Sequence, residues 1–285
     1  MPDADGNGRG GFSPDEAPPG SGAPNAQQAR LREAPSGSGR PMISVQGLHK
    51  RFGTHEVLRG IDLDIPEGST CVILGGSGSG KTVLMKHMIG LLKPDRGRVI
   101  VDGEDLVPMG ADALERVRRK FGMVFQAAAL FDSMTVYENV AFPLKEHRKT
   151  GEEEAREIVR QKLALVGLKG VEDKYPADLS GGMRKRVGLA RAIVLDPKIV
   201  LYDEPTTGLD PITTDSVDEM ILDAQRELGV TSVVISHDIA SAFKVADTLA
   251  FLFEGQIIAK GPPHSLRDHP HPALRQFLGT WFGRN

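Results

Sequence analysis

The 285-residue chain is poor in several features that would mark particular protein classes. It has one cysteine, Cys71, so no disulfide can close within it, which fits a reducing compartment. Cys71 opens the apolar run "CVIL" and reads as a core thiol, not a reactive one. Nowhere do the roughly 20 consecutive apolar residues of a bilayer-crossing helix occur. The first residues lack the apolar stretch of a secretory signal. The expectation is a chain that does not itself span a membrane but can dock onto a protein that does. A basic excess is also missing: 35 Lys and Arg stand against 38 Asp and Glu, so no nucleic-acid partner is expected. What is present, 40% hydrophobic and 26% charged residues, suits a globular domain with a sizeable core.

Residues 1–41 are dominated by Gly, Pro, Ala and Ser, and Phe12 is their one aromatic. Such a segment cannot bury enough apolar area to offset the entropy of ordering it, so it reads as a disordered tail. From Met42 onward, short β-rich runs appear. "GIDLDIP" alternates Ile61, Leu63 and Ile65 with Asp62 and Asp64, the mark of a half-exposed strand. "TCVILG" is continuously apolar and reads as a buried strand. "MISVQGLHKRF", "GRVIVDG", "FGMVFQ", "KIVLYDEP" and "TSVVISHD" follow, and "LAFLFEGQIIAKG" reads as a hairpin turning at Glu254-Gly255. Helical patterns cover 82–92, 111–120, 152–166, 180–195, 213–228 and 238–246. Strands alternating with helices predict an α/β domain with a mostly parallel sheet. The stretch 127–195 has helix patterns and no convincing strand, and reads as an inserted helical subdomain. The expected layout is a domain over 42–266 and a helical extension over 267–285.

The most specific motif is "GGSGSGKT". Gly75, Gly80, Lys81 and Thr82 fit G-x-x-x-x-G-K-S/T between a buried strand and a helix. Glycines let the backbone N–H groups of Gly75, Gly76, Ser77, Gly78, Ser79 and Gly80 curl around phosphates. The helix adds the positive end of its dipole. Lys81 is expected to reach the β- and γ-phosphates, and Thr82 to hold Mg²⁺. A second apolar strand, "IVLYDE", ends in two carboxylates, Asp203 and Glu204. Adjacent side chains at a strand end diverge, so the two acids can act separately. Asp203 is expected to anchor Mg²⁺ through water and Glu204 to polarise the attacking water. Magnesium takes few protein ligands beside phosphates, which matches one Thr and one Asp.

With these motifs in order, the chain resembles the ATP-binding subunit of an ABC transporter across essentially all of 43–262. The resemblance implies a P-loop NTPase (RecA-like) core with an antiparallel β subdomain and an inserted α-helical subdomain. It also implies roles for further residues. Phe52 in "KRFG" sits where the family stacks an aromatic on adenine. Gln126 in "VFQ" matches a glutamine that touches Mg²⁺ and water. "LSGGM", with Ser180, Gly181 and Gly182, matches the signature that closes on the partner's γ-phosphate. Asp210 in "GLDP" matches a loop crossing between subunits, and His237 in "ISHD" matches a γ-phosphate contact. Two copies are expected to pair head to tail around two ATP molecules, beneath integral-membrane permease subunits.

"LSGGM", "GGSGSGKTVLMKHMIGLLKPD", "FGMVFQAAALFDSMTVYENVAFPL" and "LDPITT" look most like the ATPases of Mla/Mce lipid transporters. That implies a motor at the cytoplasmic face of the bacterial inner membrane, moving phospholipid or other lipid with a Mce-domain substrate-binding protein. An importer of a small solute such as an amino acid shares most of these motifs; Met183 and the 121–144 stretch separate the two. In the family, 127–147 lines the groove that receives a permease helix; local core packing is an almost equal reading of the same residues. Arg184 and Lys185 are expected to be solvated, as is the Glu152–Arg156 helix face. Leu274, Phe277, Leu278, Trp281 and Phe282 form one apolar helix face, expected to pack on its own domain. The histidines of "HPHP" read as ordinary loop residues.

Overall fold

The computed structural model describes residues 40–148 and 150–282. The disordered-tail expectation therefore falls outside the described residues except at Arg40 and Pro41, and Pro41 already opens the first strand.

Strands β1 (Pro41–Phe52), β2 (His55–Pro66), β4 (Arg96–Val101) and β5 (Glu104–Asp105) form an antiparallel sheet in the order β2-β1-β4-β5. The alternation read in "GIDLDIP" is realised: Ile61, Leu63 and Ile65 are buried while Asp62 and Asp64 are exposed. The second sheet contains β3 (Thr70–Leu74), β6 (Phe121–Val124), β7 (Ile199–Asp203), β8 (Thr231–Ser236), β9 (Thr248–Phe253) and β10 (Gln256–Gly261). Its order is β10-β9-β3-β8-β7-β6, parallel throughout except for β10, which returns antiparallel to β9 through the turn at Glu254-Gly255.

Both faces of this sheet are covered, as near-continuous apolar strands require. Cys71, Ile73, Leu201, Val233 and Ile235 face one core with the antiparallel sheet and helix α1 (Lys81–Met88). Val72, Leu74, Val200, Tyr202 and Val234 face the other, beneath the helices. Those helices include α3 (Val136–His147), α4 (Glu152–Leu165), α5 (Gly181–Ala192), α6 (Pro211–Leu228) and α7 (Ile239–Val245). Among the described residues no strand interrupts the stretch from 127 to 195, in keeping with its helical reading. A short helix, α2 (Ala111–Arg118), precedes β6.

One helix ends earlier than its periodicity suggests. α1 stops at Met88, not Leu92. Gly90 adopts φ 65°, its N–H bonds the His87 carbonyl at 3.0 Å, and the Leu91 N–H bonds the Lys86 carbonyl at 2.8 Å. This left-handed glycine stop overrides the apolar pattern that continues through Leu91 and Leu92. At the far end of the chain, α8 (Pro263–Arg267) leads to α9 (Pro272–Phe282). Leu274 and Leu278 are buried, and the Phe277 ring lies 5.0 Å from that of Phe251, so α9 packs on its own domain.

Candidate functional site

Three neighbouring strands bring the motifs together. β8 lies between β3 and β7, with Leu74 paired to Ser236 and Asp203 to Ile235. The C-terminal ends of the three strands are therefore level, and the residues that follow them, Gly75, Glu204 and His237, share one edge. Ligands of parallel α/β sheets bind at this edge.

The loop from Gly75 to Gly80 needs its glycines. A Cβ on Gly75 would lie 2.4 Å from the Leu252 carbonyl, and one on Gly80, at φ 104°, would lie 2.9 Å from Leu58. Around Gly76 and Gly78 a Cβ would meet nothing within 4 Å, so the backbone there is open to a bulky anion. The Ser79 hydroxyl is buried without a protein partner. Lys81 is buried, and its ammonium donates to the Gly75 and Gly76 carbonyls at 2.8 and 3.0 Å. Its Nζ is 3.7 Å from Glu204 Oε1. A cation folded into an open loop beside an orphaned hydroxyl fits a phosphate chain.

Glu204 is fixed from several sides. Its backbone is left-handed at φ 51°, rare for a residue with a Cβ, and its N–H bonds the Ile235 carbonyl at 2.9 Å. Oε2 lies 2.6 Å from His237 Nδ1 and accepts the Thr207 hydroxyl at 3.1 Å. Asp203, one residue earlier, is half-buried; burial first, then the neighbouring Glu204 charge, push its carboxyl above the usual range, while Lys81 and Lys86 pull it down. A carboxylate held at such a cost fits a cation ligand. Among the described residues no group of three or more His, Cys, Asp or Glu side chains gathers into an all-protein metal site. A hard cation here would rest on one or two oxygens, Asp203 and the exposed Thr82, together with phosphate oxygens. Gln126 follows β6, whose Val124 pairs with Tyr202, so it lies toward the same sheet edge. Phe52, at the end of β1, is 48% exposed, with Lys50 Nζ 5.5 Å above its ring.

Ser180, Gly181, Gly182 and Asp210 form a second grouping. Ser180 caps α5, accepting the Met183 N–H at 3.2 Å, and Asp210 caps α6, accepting the Ile212 and Thr213 N–H groups at 3.0 and 3.1 Å. These helix ends touch: a Cβ on Gly182 would lie 3.1 Å from Thr213 Cγ2. Among the described residues no hydrogen bond or ion pair joins Ser180, Gly181 or Gly182 to the phosphate loop.

One expectation changes. Lys185 is not solvated: it is 6% exposed, and its ammonium donates to the Pro205 carbonyl. It shares a helix face with Gly181, Gly188 and Leu189, at i, i+4, i+7 and i+8. Arg184 is exposed, but its guanidinium bonds the Leu179 carbonyl at 2.6 Å. Thr207, not singled out in the sequence, joins the Glu204 constellation; its place three residues after the acid is the available signal.

Part of the 127–147 stretch packs into the core and part lines a groove. Val136, Val140, Ala141 and Leu144 are core. Phe131 and Phe142, 5.2 Å apart, and Phe125 stay partly exposed and line a groove of about 510 Å³ with Phe121, Pro143 and Arg191. Arg191 holds its rim by bonding the carbonyls of Ala128 and Ala129, both left-handed, at 2.7 Å each.

The ABC transporter family profile matches residues 58–207. The "Probable ribonucleotide transport ATP-binding protein mkl" of Mycobacterium leprae (strain TN) is 47% identical over 246 residues, 85% of this chain and 71% of that protein. The chain belongs to the ABC transporter ATP-binding family. The "Intermembrane phospholipid transport system ATP-binding protein MlaF" of Escherichia coli (strain K12) is 40% identical over 237 residues, 83% of this cassette and 88% of MlaF. A dimeric, post-hydrolysis structure of the ATP-binding cassette MJ0796, bound to ADP and Pi, superposes with a TM-score of 0.70 at 31% identity, over 78% of this cassette and 99% of that one. The cassette is thus an ATP-binding, ATP-hydrolysing subunit with the P-loop fold. Among its described residues no helix is long and apolar enough to cross a membrane.

Proposed function

We propose that this cassette is the motor of a transporter that moves phospholipid or other lipid between bacterial membranes. The chemical half of this reading is carried by one observation: Lys81 and His237 both approach Glu204, at 3.7 and 2.6 Å, at a single sheet edge. Lys81 exchanges its bonds to the Gly75 and Gly76 carbonyls for phosphate oxygens, and the loop N–H groups from Gly75 to Gly80 hold the same phosphates. Glu204 orients and polarises the attacking water, and His237, bonded to it, contacts the γ-phosphate. Thr82, Asp203 and Gln126 would hold Mg²⁺, which neutralises charge on the phosphates when bound. Phe52 stacks on adenine. Ser180, Gly181 and Gly182 complete the site of a second copy, whose own signature completes this one, with Asp210 at the crossing.

The lipid half rests on the similarity to MlaF over most of both chains, together with the methionine of "LSGGM" and the 121–144 stretch. The name of the Mycobacterium leprae relative favours a second reading, transport of a small solute. The partly exposed phenylalanines around the groove suit a permease helix, which would seat the cassette peripherally on the cytoplasmic face of the inner membrane, with a Mce-domain protein as the further partner. The test is mass spectrometry of molecules that copurify with the complete transporter from its host membranes. Enriched phospholipid or another lipid is expected; an enriched polar solute with no lipid above background would favour the second reading.

A further inference from the structure

Lys185 holds a place in the fold that a solvated lysine does not. It lies one helical turn into α5, behind Ser180, Gly181 and Gly182, and is 6% exposed. Among the described residues no carboxylate pairs with it. A buried ammonium with only a carbonyl partner is costly, whereas a methionine at that position would fill similar space without a charge to desolvate. What the lysine adds over an apolar residue is the hydrogen bond.

The acceptor explains its use. Glu204 turns left-handed, and Pro205 after it is buried and has no N–H. Within the turn that follows, the Glu204 carbonyl is served by the Thr207 N–H at 3.3 Å and the Thr206 carbonyl by the Leu209 N–H at 3.2 Å. The carbonyl between them, that of Pro205, is served by Lys185 from 20 residues away in sequence. Helix α5 is itself anchored to the helix that follows this turn. Gly182 abuts Thr213, and Arg186 Nη2 donates to Ser216 Oγ at 2.5 Å, while Arg186 Nη1 ties α5 to the end of α4 through the Val166 carbonyl at 2.9 Å.

We propose that Lys185 is a positioning residue for hydrolysis: its bond to the Pro205 carbonyl fixes the turn carrying Glu204 to the helix that presents Ser180, Gly181 and Gly182. The inference rests on the reading of Glu204 as the group that polarises water. In a head-to-tail dimer, Glu204 serves its own chain's nucleotide and Ser180–Gly182 serve the partner's. Lys185 then ties closure on one nucleotide to the geometry of hydrolysis at the other. Its charge does not touch ATP, so it acts on turnover and not on nucleotide affinity.

The experiment compares ATP turnover of the full chain with that of Lys185→Met, Lys185→Gln and Lys185→Arg, with Glu204→Gln in the same series. Leaving a buried carbonyl unpaired is expected to lower kcat of the methionine variant about tenfold or more, with KM for ATP within about twofold. Gln and Arg, which keep a donor, are expected to restore at least about a third of kcat, which a merely space-filling role would not require of them. Wild-type kcat in Lys185→Met, or Gln and Arg variants as slow as Met at unchanged melting temperature, overturns the proposal. If Lys185→Met does not fold, the Gln variant decides alone, by retaining that third of kcat or by losing more than about tenfold at unchanged melting temperature. Glu204→Gln separates the two levels: substantial turnover in that variant discredits the Glu204 role itself, whereas an inactive Glu204→Gln beside a fully active Lys185→Met discredits only the positioning role.

Discussion

His237 and Glu204 are bonded across the ends of adjacent strands, with Nδ1 of the imidazole 2.6 Å from Oε2 of the carboxylate. The Thr207 hydroxyl reaches the same oxygen at 3.1 Å, leaving Oε1 on the side of Lys81, 3.7 Å away. One oxygen is thus held by His237 and Thr207, and the other faces Lys81.

His237→Ala removes half of that orientation and the γ-phosphate contact assigned to the imidazole. ATP turnover is expected to fall by ~10²-fold or more, with ATP affinity changed only a few-fold. Steady-state kinetics beside calorimetric titration checks the split; equal losses in affinity and rate would place the histidine in ground-state binding.

Lys81→Ala removes the only side-chain cation in the phosphate loop. Charge-assisted hydrogen bonds contribute about 1.5–3 kcal/mol, so ATP affinity is expected to drop by ~10- to 100-fold. Calorimetry reads this directly, and unchanged affinity would count against the cradle.

Much of this site was legible in the sequence because its spacing is rigid. Gly75, Gly80, Lys81 and Thr82 must follow a buried strand at fixed intervals, and Asp203 and Glu204 must end one. Gly90 was less legible: its left-handed stop is a local backbone event, and the apolar residues beyond it extend the helical pattern past the true end of α1. Lys185 was misread because its residue type argues for solvent and its partner is a backbone carbonyl, which leaves no side-chain signal. The groove was half legible. Its phenylalanines come from β6, the segment after it and α3, and only the fold shows that Phe121, Phe125, Phe131 and Phe142 converge.

Met183→Gln is expected to leave ATP turnover within about threefold of wild type, since the side chain is only half-buried and substitutions outside the packed core seldom exceed about half a kcal/mol. Met183 contributes its backbone N–H to Ser180 Oγ, which any residue supplies, and packs only partly on the core. Loss of turnover would show that the side chain itself matters.

Asp218 makes a pH-dependent prediction. It is buried in α6 and accepts the Ser241 hydroxyl of α7. Burial, opposed by Ser241 and Lys244 and reinforced by Asp238 and Asp215, pushes its carboxyl up to about 6. An unfolded aspartate titrates near ~3.9, so the folded state holds this proton more tightly. The stabilisation is present in acid and lost as pH rises from about 4 to about 6. Asp218→Asn, which keeps the acceptor for Ser241, is expected to raise stability at pH 7 by roughly 2 kcal/mol and to change little near pH 4. Melting temperatures of both proteins across this range should converge in acid; parallel curves would contradict the assignment.

Glu204, as proposed above, drives hydrolysis in an ATP-bound dimer. Glu204→Gln keeps the side chain's shape and an acceptor for Thr207 but removes its basicity. The decisive measurement is ATP turnover of that variant, with its oligomeric state by light scattering in the presence of Mg²⁺ and ATP. Turnover is expected to fall by ~10²–10⁴-fold while an ATP-bound dimer accumulates. Turnover near that of the wild type, with no accumulated dimer, would contradict the account.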